Sequence, residues 1–258
     1  MKCRFCNSAL TNPVVSLGKF PLANNFLDED ELSRTEHFYP LDLYLCDKCY
    51  LVQLPEHERP EKIFTIYPYF SSYSSSWLKH SENYVNNMIE RFGLDKQSFV
   101  TEVASNDGYL LQYFIRKGIP VLGIEPAENI AQVARRKGIP TDVAFFGKDV
   151  AWRLAAEGTL ADLIIGNNVL AHVPALNDFI AGLKIMLAPD GVITLEFPHL
   201  MRLILDVQFD TIYHEHLSYF SLLSLERIFS AHELLIFDVE KLPTHGGSLR
   251  IYLRHKGH

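Results

Sequence analysis

No apolar run in the chain approaches the roughly 20 residues needed to span a bilayer, and Met1 to Cys6 has no signal-peptide core. Together these absences argue against a membrane partner and place the protein in the cytoplasm. Basic charge is also in short supply, with 24 Lys and Arg against 31 Asp and Glu for a net charge of -7, and the only short basic run is Arg135-Arg136-Lys137. A chain that grips a phosphate backbone needs a clustered basic face, so the balance argues against a nucleic-acid partner. There is no internal repeat and no low-complexity tract. Cysteine is scarce as well, with 4 in 258 residues, all in the first fifth of the chain.

What cysteine there is falls in a pattern, Cys3-x-x-Cys6 and Cys46-x-x-Cys49. Two such pairs supply the four thiolates that tetrahedral zinc requires, each pair offering both sulfurs from one tight knuckle. Free or disulfide-paired cysteines are the other reading, and a reducing compartment disfavours disulfides. Four protein ligands leave no open coordination position, so a metal here holds the fold together and does no chemistry. The 39 residues between the pairs exceed the span of a compact ribbon, which predicts an excursion of loops and short strands over residues 7–45.

With 258 residues, 48% hydrophobic and 21% charged, the composition is that of a soluble globular enzyme, and two domains of unequal size fit best. Pro55 to Pro68 reads as a linker. The next stretch, Tyr67 to Trp77, is dense in aromatics and hydroxyls, and is either the packed start of a helix or a lid over a ligand with Tyr69 and the serines as polar contacts. Helical spacing over 78–92 ends at Gly93. From residue 99 onward strands (99–103, 121–125, 140–143, 161–166, 191–197) alternate with helices (109–117, 127–137, 147–157, 176–187), predicting a doubly wound parallel sheet. Leu234 to Glu240 and Ser248 to Leu253 can close it as a hairpin of sixth and seventh strands.

Phe99 to Gly108 forms a strand and a polar turn before a helix, the geometry that exposes backbone N–H groups to a nucleotide. Glu125, closing the next strand, is placed to take both hydroxyls of a ribose. That would serve a nicotinamide dinucleotide oxidoreductase as well as any other adenosine cofactor, but Ala104 replaces the first glycine of a Gly-x-Gly signature and the third glycine is missing. Further on, Tyr213-His214-Glu215-His216 stands beyond the carboxyl end of a strand, where open α/β sheets place their ligands. The row admits acid/base work, a second metal or a solvated loop. Histidine suits proton abstraction because its ordinary pKa lies near working pH, and a neighbouring carboxylate can orient and tune the ring.

Six spaced motifs carry a resemblance: the two cysteine pairs, Glu102 to Leu111, Gly123 to Pro126, Asn167 to Pro174, Tyr213 to Phe220 and Thr244 to Arg250. In order and from end to end, the chain resembles the zinc-containing, S-adenosylmethionine-dependent sugar C-methyltransferases, which methylate C3 of nucleotide-linked 4-keto-deoxysugars. The resemblance implies an α/β, Rossmann-like class I methyltransferase sheet of seven strands with a closing β-hairpin, which ordinary dehydrogenase sheets lack. The expected division is a zinc-binding domain (1–54), a linker and helical lid (55–98) and an S-adenosylmethionine-binding domain (99–258). The cofactors implied are S-adenosyl-L-methionine, with Glu102, Ala104, Ser105, Asn106, Gly108, Glu125 and Asn167 around it, and a structural zinc on Cys3, Cys6, Cys46 and Cys49. By similarity Tyr213, Glu215, His216 and His172 line the reaction centre, with His216 as the candidate base, Glu215 its neighbour, and Tyr213 and His172 as candidates either to donate to the developing enolate oxygen or to position the sugar. Family members continue into a second α/β lobe that helps bind the nucleotide sugar, so a separate or missing C-terminal lobe is the expected partner for acceptor binding. A zinc-stabilised module that binds the donor without turnover is the non-enzymatic alternative.

Overall fold

The computed structural model describes residues 1–24, 26–65 and 68–257. Between the cysteine pairs the chain forms an antiparallel hairpin, β1 (Pro13–Phe20) and β2 (Tyr39–Leu45), and β3 (Val52–Gln53) adds to β2. The excursion is therefore built of longer strands than the spacing predicted, although every residue of β1 except Leu17 stays exposed. Inside the stretch read as a linker, Pro60 starts a helix, α1 (Pro60–Phe64). A proline at the first helical position has its φ preset and loses no hydrogen bond there, so Pro60 begins structure where a linker was expected. Tyr67, the first residue of the aromatic stretch, lies outside the described residues. The next helix, α2 (Ser75–Phe92), begins three residues before the expected start because the Ser74 hydroxyl accepts from the Trp77 N–H, and it ends at Gly93 with φ 62°.

The alternation from residue 99 becomes β4 (Val100–Val103), α3 (Leu111–Arg116), β5 (Val121–Ile124), α4 (Glu128–Arg136), β6 (Thr141–Asp142), α5 (Lys148–Ala156), β7 (Ala161–Asn167), α6 (Leu176–Met186) and β8 (Leu187–Pro198). After α7 (Leu200–Leu205), β9 (Ser218–Tyr219) and α8 (Leu222–Ala231), the hairpin β10 (Leu234–Leu242) and β11 (Ser248–His255) closes the chain. Strands β4 to β8 are parallel, β11 runs antiparallel between β8 and β10, and the order is β10-β11-β8-β7-β4-β5-β6. This is the seven-stranded α/β sheet with a closing hairpin that the alternation predicted. The helix after the nucleotide-type turn starts at Leu111 and not Tyr109, because positive φ at Asn106 (48°) and Gly108 (75°) prolongs the turn.

Strand β9 joins the small sheet and not the large one. It pairs antiparallel with β3 in the order β1-β2-β3-β9, tying residues just after the Tyr-His-Glu-His row to the cysteine module. Arg4 reinforces the seam by donating to the carbonyls of Leu217 (3.2 Å) and Leu54 (2.7 Å). Apolar burial is continuous across it, with Cys3, Leu10, Cys46, Cys49 and Leu51 in one core with Leu225, Ile228 and Phe229 of α8. Among the described residues no helix is long and apolar enough to cross a membrane.

Candidate active site

The turn after β4 is held in an unusual backbone conformation. Ala104 has φ 56°, in the left-handed region that costs a non-glycine residue about 1–2 kcal/mol, and Asn106, whose type tolerates it better, follows at 48°. Gly108 suits its φ of 75°, and a Cβ there would also force the end of the Ile139 side chain to move. The coil lets the Asn106 N–H donate to one oxygen of Glu125 (2.9 Å) while the Ala127 N–H donates to the other (2.9 Å). Burial still pushes the Glu125 carboxyl above its ordinary value. Each Glu125 oxygen accepts one hydrogen bond and keeps a lone pair, as a group that grips a diol must.

Tyr69 to Ser72 crosses this turn as a strap. The Asn106 side chain accepts from the Ser71 N–H (2.8 Å) and donates to the Tyr69 carbonyl (3.2 Å), and Ser72 bonds Asp107, which also takes Lys137 at 2.9 Å. Ser71 and Ser72 thus hold the turn. Tyr69 lines a cavity of about 690 Å³ that opens over the carboxyl ends of the strands.

Of the residues expected around a donor, Ala104, Asn106, Glu125 and Asn167 line that cavity, whereas Glu102, Ser105 and Gly108 lie behind its wall. Glu102 is fully buried and neither of its oxygens makes a hydrogen bond of good geometry, so burial raises its carboxyl well above the ordinary value. The Tyr109 hydroxyl lies beside Glu102 and favours the ion only in part. Asn167 and Asn168 also line the cavity, and the side-chain oxygen of each is buried without a hydrogen-bond partner among the described residues. Orphaned acceptors and a free lone pair on each Glu125 oxygen suit a polar ligand bearing an ammonium and a ribose.

The same cavity is lined by His172, Tyr213 and His216. His216 Nδ1 lies 3.0 Å from the Thr211 carbonyl, which can only accept, so Nδ1 carries the proton. Nε2 is therefore the free base, and it accepts from the Tyr213 hydroxyl at 2.8 Å. A turn closed by His216 N–H to the Tyr213 carbonyl (3.0 Å) brings these two residues to one side. Glu215, expected as the neighbour of His216, points elsewhere: one oxygen accepts from Asn24 (2.6 Å), the other is buried without a partner among the described residues, and the residue does not line the cavity. His214 turns away to the Pro40 carbonyl. Trp77, Tyr109 and His245 also line the cavity, although none of them stood among the expected site residues. Trp77 ends the aromatic stretch with lid character, Tyr109 belongs to the Glu102 to Leu111 motif and His245 to the Thr244 to Arg250 motif.

The His172 ring meets His216 edge to face, with centroids 4.8 Å apart, and meets Phe64 of α1 on another side. Burial lowers the His216 pKa to about 4 and that of His172 to about 3. Both rings are thus neutral at pH 7, and their imidazole C–H resonances are expected to hold the neutral shift from pH 8 down to about 5. A midpoint near the ordinary 6.5 in an NMR titration would contradict this burial. The same depression makes the unfolded chain the first to take up protons, so the stability these two rings contribute is complete above about pH 6.5 and is lost as pH falls toward 4 and then 3.

Away from the cavity, the sulfurs of Cys3, Cys6, Cys46 and Cys49 all lie within 4.8 Å of one another, with Cys3 to Cys49 and Cys6 to Cys46 at 3.5 Å. A zinc bound at about 2.3 Å by tetrahedral thiolates separates them by about 3.8 Å, so the set fits. Each knuckle closes alike: the N–H of Asn7 (φ 60°) bonds the Cys3 carbonyl, and that of Tyr50 (φ 63°) bonds the Cys46 carbonyl. Gln53 of β3 donates to the Cys3 sulfur at 3.3 Å. All four positions are taken by protein, so the zinc is structural.

Residues 77–236 match the family model "Methyltransferase domain", and residues 3–64 match the model "Putative zinc binding domain". The chain is 38% identical over 251 residues to the C-methyltransferase NovU of Streptomyces niveus, covering 97% of this chain but only 60% of the length of NovU. Two solved structures share the fold: the PH0226 protein from Pyrococcus horikoshii OT3 (14% identity, TM-score 0.56, 76% of this chain and 98% of that one) and magnesium protoporphyrin IX methyltransferase (ChlM) from Synechocystis PCC 6803 with bound SAH (16%, 0.53, 68% and 82%). At such identities the likeness is one of architecture alone. A matched span covering more than half of the residues, on a seven-stranded sheet closed by an antiparallel hairpin, makes this chain a member of the methyltransferase domain family.

Proposed function

We propose that the protein is an S-adenosylmethionine-dependent C-methyltransferase whose acceptor is a nucleotide-linked keto-deoxysugar, working in the cytoplasm where its thiols stay reduced. One observation carries the reading: a single cavity joins the Glu125 turn to the Tyr213–His216 pair. The identity to a C-methyltransferase supports carbon as the nucleophile, and the sugar class rests on the resemblance of the motifs. The chain matches only part of that relative's length, so a further acceptor-binding lobe belongs to the proposal.

Glu125 would hold the ribose of the donor, with the Ala104 to Asn106 turn and Asn167 bordering its methionine end. S-Adenosylmethionine, when bound, supplies an electrophilic methyl on sulfonium. A carbon nucleophile requires loss of a C–H proton next to the ketone, and His216 Nε2 is the lone pair available to take it. The Tyr213 hydroxyl covers that lone pair. If it turns to the developing enolate oxygen it uncovers the base and stabilises the product of deprotonation in one movement. Charge developing on that oxygen raises the low His216 pKa as the proton arrives. His172, neutral and beside His216, is the second candidate donor to the oxygen.

The test is incubation with S-adenosylmethionine and a panel of nucleotide keto-deoxysugars, in which a sugar product heavier by one methyl is expected. No methylated product, together with tight NAD binding and no affinity for S-adenosylhomocysteine, would overturn the reading in favour of an oxidoreductase.

A further inference from the structure

His245 is a cavity residue that the mechanism above does not use. It sits at φ 50° and ψ 41°, followed by Gly246 at 75° and Gly247 at 117°. Left-handed backbone at a histidine is uncommon and persists only where the surroundings impose it. Here they do. The Gly247 N–H bonds the Thr244 carbonyl (2.9 Å), the His199 N–H bonds the Gly247 carbonyl (3.0 Å), Gln208 Nε2 bonds the Gly246 carbonyl (2.7 Å), and the Ser248 hydroxyl bonds the Thr244 carbonyl (3.0 Å).

A second layer fixes the ring. Trp77 meets His245 edge to face at 5.2 Å, and Trp77 is itself stacked on His80 at 4.8 Å. The fully buried Glu196 binds His80 (3.1 Å) and the Thr244 hydroxyl (2.9 Å), so one carboxylate ties the helix carrying Trp77 to the loop carrying His245. Arg250 neutralises that carboxylate at 2.7 Å. After all this positioning, neither ring nitrogen of His245 hydrogen-bonds any group among the described residues, and the residue is exposed where it lines the cavity. Strain, four backbone clamps and a buried carboxylate hold a ring whose polar atoms are unused by any of the described residues.

The position of the loop says which ligand it serves. Glu125 ends β5, whereas His245 precedes β11, and the sheet order β5-β4-β7-β8-β11 puts four strand spacings between them. At about 4.8 Å each that is on the order of 19 Å along the sheet, well away from the donor's ribose. His216, by contrast, lines the same cavity as His245. We propose that His245 is an acceptor-binding residue, its imidazole hydrogen-bonding an oxygen of the sugar at the mouth of the cavity opposite the donor. This rests on the reading of the acceptor as a nucleotide keto sugar.

Diethyl pyrocarbonate labels accessible neutral imidazoles, and peptide mass spectrometry reads the label at His245. A thymidine diphosphate keto-deoxysugar is expected to slow labelling of His245 in the full chain, while S-adenosylhomocysteine alone leaves it unchanged. His245→Asn, whose type accepts left-handed backbone, should bind that sugar about tenfold more weakly, the loss of about one hydrogen bond, with unaltered S-adenosylhomocysteine affinity. His245→Gly should lose the same affinity yet melt no lower than the wild type, since glycine relieves the backbone. Protection by S-adenosylhomocysteine alone, or wild-type sugar affinity in His245→Asn, would overturn the assignment. If the wild type methylates the sugar panel while His245 stays unprotected, this inference fails and the acceptor reading stands. If no sugar is bound or methylated, both fall.

Discussion

Alanine at His216 is expected to slow both proton exchange at the carbon next to the acceptor ketone and methyl transfer by about 10³-fold, within the range a positioned general base supplies. Its Nδ1–H is committed to the Thr211 carbonyl, so the ring cannot swap tautomers, and Nε2 is directed into the cavity against the Tyr213 hydroxyl. His172, the neighbouring ring, is held still further from protonation, so it is a poor replacement base. S-Adenosylhomocysteine affinity should stay near wild type, because Glu125 and the Asn106 turn belong to other elements. Exchange is followed in deuterated buffer with donor omitted. Wild-type exchange and transfer in His216→Ala would show that another group takes the proton. Tyr213→Phe removes the hydroxyl but leaves the base, so its exchange rate should fall by less.

Serine at Cys46 should cost the protein its zinc, from about one per chain to almost none, and with it the N-terminal module. Four-thiolate sites contribute apparent free energies of about 10–16 kcal/mol, as large as the whole stability of a typical domain. The loss should reach the reaction centre, because β3 pairs with β9 immediately after His216 and Arg4 bridges the carbonyls of Leu54 and Leu217. Proton exchange should therefore fall with metal content, while S-adenosylhomocysteine still binds, because the Asn106 turn proposed to hold the donor is tied by Ser71 and Lys137 and not by the module. Metal analysis, melting and exchange on the same preparation check this. Unchanged zinc in Cys46→Ser, or full exchange in zinc-free protein, would refute it.

Much of this architecture can be read from the chain because its signals are local. Two Cys-x-x-Cys pairs define a ligand set whatever lies between them, and β-branched runs alternating with helical periods define the sheet from residue 99 onward. The stops are local too, as at Gly93. The Tyr213 to His216 row shows where locality ends. Four chemically suggestive residues stand in line, yet Tyr213 and His216 face the cavity, His214 turns to Pro40 and Glu215 to Asn24. Neighbours in an irregular turn point in different directions, and the partners that claimed them are more than 170 positions away. Glu102, Ser105 and Gly108 belong to the turn by sequence but to its buried side by packing.

The sequence by itself determined the four-cysteine cluster, the strand-turn-helix with Glu125 behind it, and the hairpin that separates this sheet from a dehydrogenase, since each depends on spacing or periodicity within a short window. Only the tertiary structure decided the neutral state of His216 and His172, the pairing of β9 with the zinc module, and the presence of Trp77 and His245 in the cavity. Burial sets the first, and strands and side chains far apart in the chain set the others, so no local pattern could carry them.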